Sequence, residues 1–299
     1  MLSVTQIVAA ALAEDAPWGD VTSESLLPAQ AVAHAELRAR EPGTLAGTDA
    51  AREAFVQAAA LSGGSIQTLE LFADGTRFVA GDVLARISGS ARAVLRAERI
   101  ALNLLQHLSG IATLTAQFVD AVAGTNARIV DTRKTTPGLR VLERAAVRAG
   151  GGHNHRFSLS DAVLVKDNHL AVLLASGIDV TTALKGVRAQ VGHTTSIEVE
   201  VDRLDQLEAV LAGDVDVVLL DNFSLADLEA GVRLVRSRSR ALVEASGGVR
   251  LETVAGIAAT GVDLVSAGAL TQNSRTLDLG LDIAVHVAVD PLGAARAGA

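Results

Sequence analysis

The chain has 299 residues, of which 49% are hydrophobic and 20% charged, with a formal net charge of −8 and no cysteine. It is too apolar to be disordered and long enough for one large domain or two ordinary ones. The missing cysteine excludes a disulfide framework, thiolate metal sites and a cysteine nucleophile, and the acidic balance with only six Phe, Trp18 and no Tyr leaves no footprint for nucleic acid. At the N-terminus, MLSVTQIVAAALAED is too short and too soon acidic for a signal peptide or a spanning helix, and no apolar run of about 18 residues follows. A cytoplasmic protein with no membrane partner is expected. Val4, Ile7, Val8, Ala11 and Leu12 follow a helical period, which the turn-rich DAPWGD ends. Alternating stretches come next, AHAELRAR and then TRFVAGDVLARISG, where Gly81 and Gly89 punctuate short strands. Over residues 91–122 apolar residues recur at three and four spacing, with Ser109-Gly110 as a break, which predicts two helices.

After residue 127 the pattern changes to six short apolar runs: RIVDT, AVLVK, SIEVEV, DVVLLD, ALVEAS and DLVSAG. Near-continuous Val/Ile/Leu strands suit a parallel sheet buried on both faces, and the helical segments between them predict a βα barrel, complete or not. The carboxyl ends of the runs carry Asp131, Arg133 and Lys134; Lys166, Asp167 and His169; Glu200; Asp221 and Asn222; Glu244 and Ser246; and Gly268. Barrel active sites are built from those ends.

Positive charge is concentrated between residues 133 and 166, where Arg133, Lys134, Arg140, Arg144, Arg148, Arg156 and Lys166 face only Glu143 and Asp161. In an acidic protein, such a cluster at a barrel mouth predicts a small anionic ligand. Arg140, Arg144 and Arg148, at successive i+4 steps, read instead as a solvated helical face. Lys is scarce: of 26 basic residues only Lys134, Lys166 and Lys185 are Lys, and a retained Lys suggests a place where a compact ammonium is needed and a planar fork does not fit. EASGGV and SAGAL put small residues where the last two strands meet their helices, leaving backbone amides to hold a phosphate. Glu200 and Asp221 add carboxylates suited to Mg²⁺, to ribose hydroxyls or to stabilising a cation. His153 and His155 lack zinc-site spacing, and there is no nucleophile elbow or Walker loop.

Taken together, AERIALNLLQHLSGIAT, DTRKTTPGLR, GGGHNHR, LVKDNH, IEVEVD, LLDNF, EASGGV and SAGALT make the chain resemble the quinolinate phosphoribosyltransferase family over nearly its whole length. The resemblance implies an N-terminal α/β sandwich over 1–115, joined by a return segment at 272–288, an open, incomplete parallel βα barrel over 116–271, and a frayed tail at 289–299. It implies Arg99 (from the partner subunit), Arg133, His155 and Arg156 at quinolinate, with Lys134, Lys166, Ser246, Gly247, Gly248 and Gly268 at phosphoribosyl pyrophosphate. Lys134, Lys166, Glu200 and Asp221 are the implied catalytic set, with Glu200 and Asp221 near Mg²⁺. A homodimer or higher assembly, with the site shared between subunits, is implied as well. Two departures stand out: Gln272 where the family usually has His, and Arg144-Ala145 where it usually has Lys-Tyr.

Three rival readings are weaker. A paralogue associated with molybdenum transport is expected to lack the complete Asn-His-Arg and Lys-Asp-Asn-His motifs, both present here at 154–156 and 166–169. A Schiff-base aldolase using Lys166 does not account for the Arg/His cluster, and a sugar-phosphate-binding regulator leaves Glu200 and Asp221 facing an anion without purpose.

Overall fold

A computed structural model describes residues 2–287, so the expected tail at 289–299 lies outside the described residues. The chain divides into two compact units, one holding residues up to Thr113, Pro137–Ala149 and the stretch from Arg275, the other Leu114–Thr136 and Gly150–Ser274. Residues 137–149, read from the sequence as part of the barrel domain, group with the first unit.

The first unit opens with the helix Val4–Asp15, which Ser3 and Gln6 start with a capping box. Asp20 then caps the short helix Val21–Leu26 by accepting the Ser23 amide. Its strands are β1 (Val32–Ala39), β2 (Gly43–Thr44), β3 (Ile66–Leu71), β4 (Arg77–Phe78) and β5 (Val83–Ser90), with the helix Thr48–Leu61 between β2 and β3. The second unit carries β6 (Arg128–Val130), β7 (Val163–Val165), β8 (Ile197–Val201), β9 (Val217–Asp221), β10 (Leu242–Ser246) and β11 (Leu264–Ser266), and the chain then returns to the first unit as β12 (Leu279–His286).

An antiparallel sheet in the order β12-β1-β5-β3 forms the first unit's frame. Strict alternation in β1 buries Ala33, Ala35, Leu37 and Ala39 on one face and turns His34, Glu36 and Arg38 to the other. Leu37, Ala85, Ile87 and Leu281 on the buried face meet Phe55, Leu102 and Leu105 from two helices, each fully buried side chain of this size adding about 1.5–3 kcal/mol.

The two helices expected over 91–122 are one, Ala91–Ala121, 31 residues long. Ser109 and Gly110 are small for a packing reason and do not break it: the Ser109 hydroxyl accepts the Ala46 amide at 3.0 Å, and a Cβ on Gly110 would collide with the Arg275 carbonyl oxygen. Helix propensity alone would make Gly110→Ala stabilising by about 1 kcal/mol. We expect it instead to destabilise by about 1–3 kcal/mol through overpacking, read from denaturant unfolding; a variant as stable as the parent would contradict this close approach.

In the second unit every strand pair is parallel, in the order β6-β11-β10-β9-β8-β7. Among the described residues β6 and β7 do not pair, so the ladder is open, as the family resemblance implied. Its outer edge at β6 is met by a bridge from Val130 to His153. The sheet nevertheless curls, because Thr132 after β6 and Leu164 in β7, from opposite ends of the strand order, line one cavity. No single described helix is long and apolar enough to cross a membrane.

Candidate active site

Strand periodicity sets what faces the interior of the curl. Leu164 and Lys166 at β7, Leu219 and Asp221 in β9, and Glu244 and Ser246 in β10 are each two residues apart, and all line a cavity of about 450 Å³ with Thr132, Arg133, Lys134, His155, Arg156, Glu200 and Ser266. The polar members come from the carboxyl ends of the strands, where the sequence placed the site. A larger cavity of about 630 Å³ lies on the outer sheet face of the first unit. Its charges are already matched to one another, Arg86 to Glu36 at 3.3 Å and Arg38 to Asp282 at 3.3 Å, so it has no comparable surplus for an ion.

The GGGHNHR turn is built around Asp131, which is fully buried just beyond β6. One carboxylate oxygen accepts the His155 amide at 2.7 Å and the other the Asn154 side-chain amide at 2.6 Å. His155 is then fixed at both ring nitrogens: Nδ1 accepts the Arg156 amide at 2.7 Å, and Nε2 faces Glu198 at 2.8 Å and Glu244 at 3.7 Å. Burial lowers the His155 pKa, but the bond to Glu198 and the charges of Glu198, Glu244 and Asp131 leave it raised overall. The Arg156 amide pointing at Nδ1 opposes that tendency, because a second ring proton has no place there.

Arg156 donates to the Ala162 carbonyl at 3.0 Å. Its pKa is lowered first by burial and then by the charge of Arg133 beside it. The charges of Glu198 and Asp161 offset part of that repulsion, and an anion bound between the two guanidiniums would offset more of it. Lys166 donates to Glu200 at 2.8 Å, and its backbone amide donates to His169 Nδ1 at 2.9 Å, which fixes it at the start of the helix Asp167–Ala175.

Glycine clears the opposite wall. A Cβ on Gly268 would stand 2.9 Å from Lys134 Cδ and 3.3 Å from Gln272 Oε1, so the lysine lies over a gap that only glycine leaves. Thr271 holds the Lys134 carbonyl through a 2.6 Å hydrogen bond. Gly247 has φ +87° and Gly248 φ +58°, and a Cβ on Gly247 would strike the Asn222 side chain, itself at φ 60° and bonded to Asp221 at 2.6 Å.

Of the residues singled out from sequence, Arg133, Lys134, His155, Arg156, Lys166, Glu200, Asp221 and Ser246 meet in this one cavity. Gly268 lies against Lys134, and Gly247 against Asn222. Arg99 is exposed on the helix Ala91–Ala121 and does not line the cavity. The solvated face expected for the helix Arg140–Ala149 does not hold throughout: Arg148 is exposed, but Arg144 is 7% exposed, beside a fully buried Glu143 that contacts His107 at 3.0 Å.

Sequence reasoning missed Glu198. The signal was there, since Glu198 and Glu200 are two apart in a strand whose other residues, Ile197, Val199 and Val201, are apolar and buried, so both acids share the interior face. Glu244 is 1% exposed, and burial, then the charge of Glu198, pushes its pKa up to about 8, His155 opposing. A folded-state pKa above the unfolded value means the folded chain keeps a proton that the unfolded chain releases, so stability falls as pH rises from 4.5 to about 8. Gln at this position carries no such loss. The melting temperature of Glu244→Gln relative to the parent should therefore climb across that window, and a flat difference would place the proton elsewhere.

Comparison with known proteins fits this geometry. Profiles of the quinolinate phosphoribosyl transferase N-terminal and C-terminal domains match residues 20–109 and 111–282. The nicotinate-nucleotide pyrophosphorylase (carboxylating) of Mycobacterium leprae is 45% identical over 91% of this chain and 94% of its own length. Among solved structures, NadC from Streptococcus pyogenes superposes with a TM-score of 0.86 at 38% identity, covering 96% of this chain and 99% of its own. The nicotinate-nucleotide pyrophosphorylase of Francisella tularensis does so with a TM-score of 0.85 at 35% identity, covering 94% and 96%.

Proposed function

The chain belongs to the quinolinate phosphoribosyltransferase family, and from that premise we propose how its own residues divide the reaction among them. It transfers the phosphoribosyl group of phosphoribosyl pyrophosphate to quinolinate with decarboxylation, giving nicotinate mononucleotide, pyrophosphate and CO₂ in NAD biosynthesis. The observation that carries the assignment of roles is the pair Arg133 and Arg156, close enough for one to depress the other's pKa on the wall of a cavity that also holds Lys134 and Lys166. Paired planar forks match adjacent carboxylates.

In this reading Arg133 and Arg156 hold the two carboxylates of quinolinate. His155, whose ring nitrogens are both engaged within the chain, supports Arg156. Lys134 and Lys166 take the anionic oxygens of phosphoribosyl pyrophosphate, and Ser246, Gly247, Gly248 and Gly268 cradle its 5-phosphate. As the diphosphate departs, positive charge grows on the ribosyl carbon, and Glu200 and Asp221 stabilise it while the pyridine nitrogen attacks. The ring nitrogen becomes quaternary, so the C2–carboxylate bond can break with its electron pair left on C2, which then takes a proton.

The donor set suits Mg²⁺: Glu200 and Asp221 are hard carboxylates lining the cavity, each bonded within the chain through one oxygen, to Lys166 and Asn222. The chemistry a bound Mg²⁺ supplies there is neutralisation of the diphosphate's charge.

We assign Arg99 to the neighbouring subunit's site in a homodimer or larger assembly, in keeping with its exposure and its absence from the cavity lining, and we place the enzyme in the cytoplasm. The reaction itself is tested by incubating purified protein with quinolinate, phosphoribosyl pyrophosphate and Mg²⁺: nicotinate mononucleotide and CO₂ should form in equal amounts, and nicotinate should give no product. The shared site is tested by mixing Arg99→Ala chains with Lys166→Ala chains. Each alone should be nearly inactive, and exchange of subunits should restore activity by making one intact site per mixed dimer; no recovery would put Arg99 outside the site.

A further inference from the structure

Beneath the cavity, His155 Nε2 and carboxylate oxygens of Glu198 and Glu244 lie within 4.8 Å of one another. Glu198 is 5% exposed and Glu244 1% exposed, with Glu244 in hydrogen-bond reach of Ser266 and Glu198. That composition resembles a metal site.

The histidine tautomer argues otherwise. Nδ1 accepts the Arg156 amide at 2.7 Å, so a neutral ring carries its proton on Nε2. A protonated nitrogen has no lone pair for a metal, and a metal-bound histidine does the reverse, donating from its other nitrogen to a neighbouring acceptor. With Nε2–H as donor, the 2.8 Å contact to Glu198 is a charge-assisted hydrogen bond.

We propose that Glu198 is a positioning residue for the reaction: by accepting Nε2–H it locks His155 in the tautomer and orientation whose Nδ1 holds the Arg156 amide, and so aims the Arg156 guanidinium at a substrate carboxylate. Two successive backbone amides are thereby fixed, that of His155 by Asp131 at 2.7 Å and that of Arg156 by the ring. Without Glu198 the ring loses the 2.8 Å acceptor for a proton on Nε2 and keeps there only the longer 3.7 Å contact to Glu244. A proton on Nδ1 would set two donors face to face and push the Arg156 backbone away. The raised pKa of Glu244, set first by burial and then by the charge of Glu198, agrees with this arrangement.

The proposal rests on the quinolinate reading but is tested separately from it. In protein labelled with ¹⁵N at the histidine rings, the His155 signal is identified by its loss in His155→Asn. The parent should show a protonated Nε2 and a bare Nδ1. Glu198→Met should lose that pattern and raise KM for quinolinate about tenfold or more, leaving KM for phosphoribosyl pyrophosphate within about twofold. Glu198→Gln, which keeps an acceptor, should recover most of the loss. A protonated Nδ1 in the parent, a stoichiometric metal retained by the purified protein, equal rises in both KM values, or a Gln variant no better than Met would each overturn the proposal. If Glu198→Met does not fold, the parent spectrum and the Gln variant still decide it. Absence of nicotinate mononucleotide from the parent would count against the reaction and leave the ring's spectrum to be read on its own.

Discussion

Replacing Arg156 by Ala should lower kcat/KM for quinolinate by about 10²–10³-fold, nearly all of it through KM, with KM for phosphoribosyl pyrophosphate little changed. A hydrogen bond to a charged group contributes about 1.5–3 kcal/mol, and a fork gripping one carboxylate makes two of them, about 3–6 kcal/mol together; with water entering the vacated space, a loss at the lower end of that range, about 3–4 kcal/mol, is expected. Arg156→Lys should recover only a small part, since an ammonium cannot make the paired contact. Steady-state kinetics with each substrate varied in turn checks this. Equal losses toward both substrates would mean that Arg156 supports the pocket generally and does not read quinolinate.

The second large effect is expected at Glu200. Its carboxylate pairs with Lys166 at 2.8 Å, and its side chain is 15% exposed, so its charge acts where water screens little. Glu200→Gln keeps shape and hydrogen bonding but removes the charge that the proposed mechanism sets against the developing ribosyl cation, and kcat should fall by about 10²–10³-fold. Quinolinate affinity, measured by calorimetry without the second substrate, should stay close to that of the parent. Intact turnover with weakened binding would reverse the role, making Glu200 a ligand and not a stabiliser of the transition state.

Much of this was legible in the chain because the strands of the parallel sheet are buried on both faces. Such strands show as unbroken runs like VVLLD, and the first polar residue after each run marks the carboxyl end where a site is built. Lys134 and Lys166, noticed for their rarity, both line the cavity. What sequence could not supply was the identity of distant neighbours. Ser109-Gly110 looks like a helix break until Arg275 is known to pass against it, some 165 residues later in the chain. Arg144 looks solvated until its helix is seen to group with the first unit. Glu198 reads as one of two acids in an alternating strand, and only the ring of His155, from a turn beyond a different strand, gives it a task. Gln272 was a departure without a setting; it lies beside Gly268, whose missing side chain also makes room for Lys134.

The central claim is that quinolinate is held by Arg133 and Arg156 at the carboxyl ends of the parallel strands. A crystal structure of the protein with quinolinate alone tests it most directly, since no reaction can proceed without the ribosyl donor. The account predicts one ligand in the 450 Å³ cavity, its two carboxylates meeting Arg133 and Arg156 and its ring nitrogen turned toward the side of Glu200 and Asp221. Quinolinate bound elsewhere, or in that cavity with its carboxylates turned away from both arginines, would contradict it.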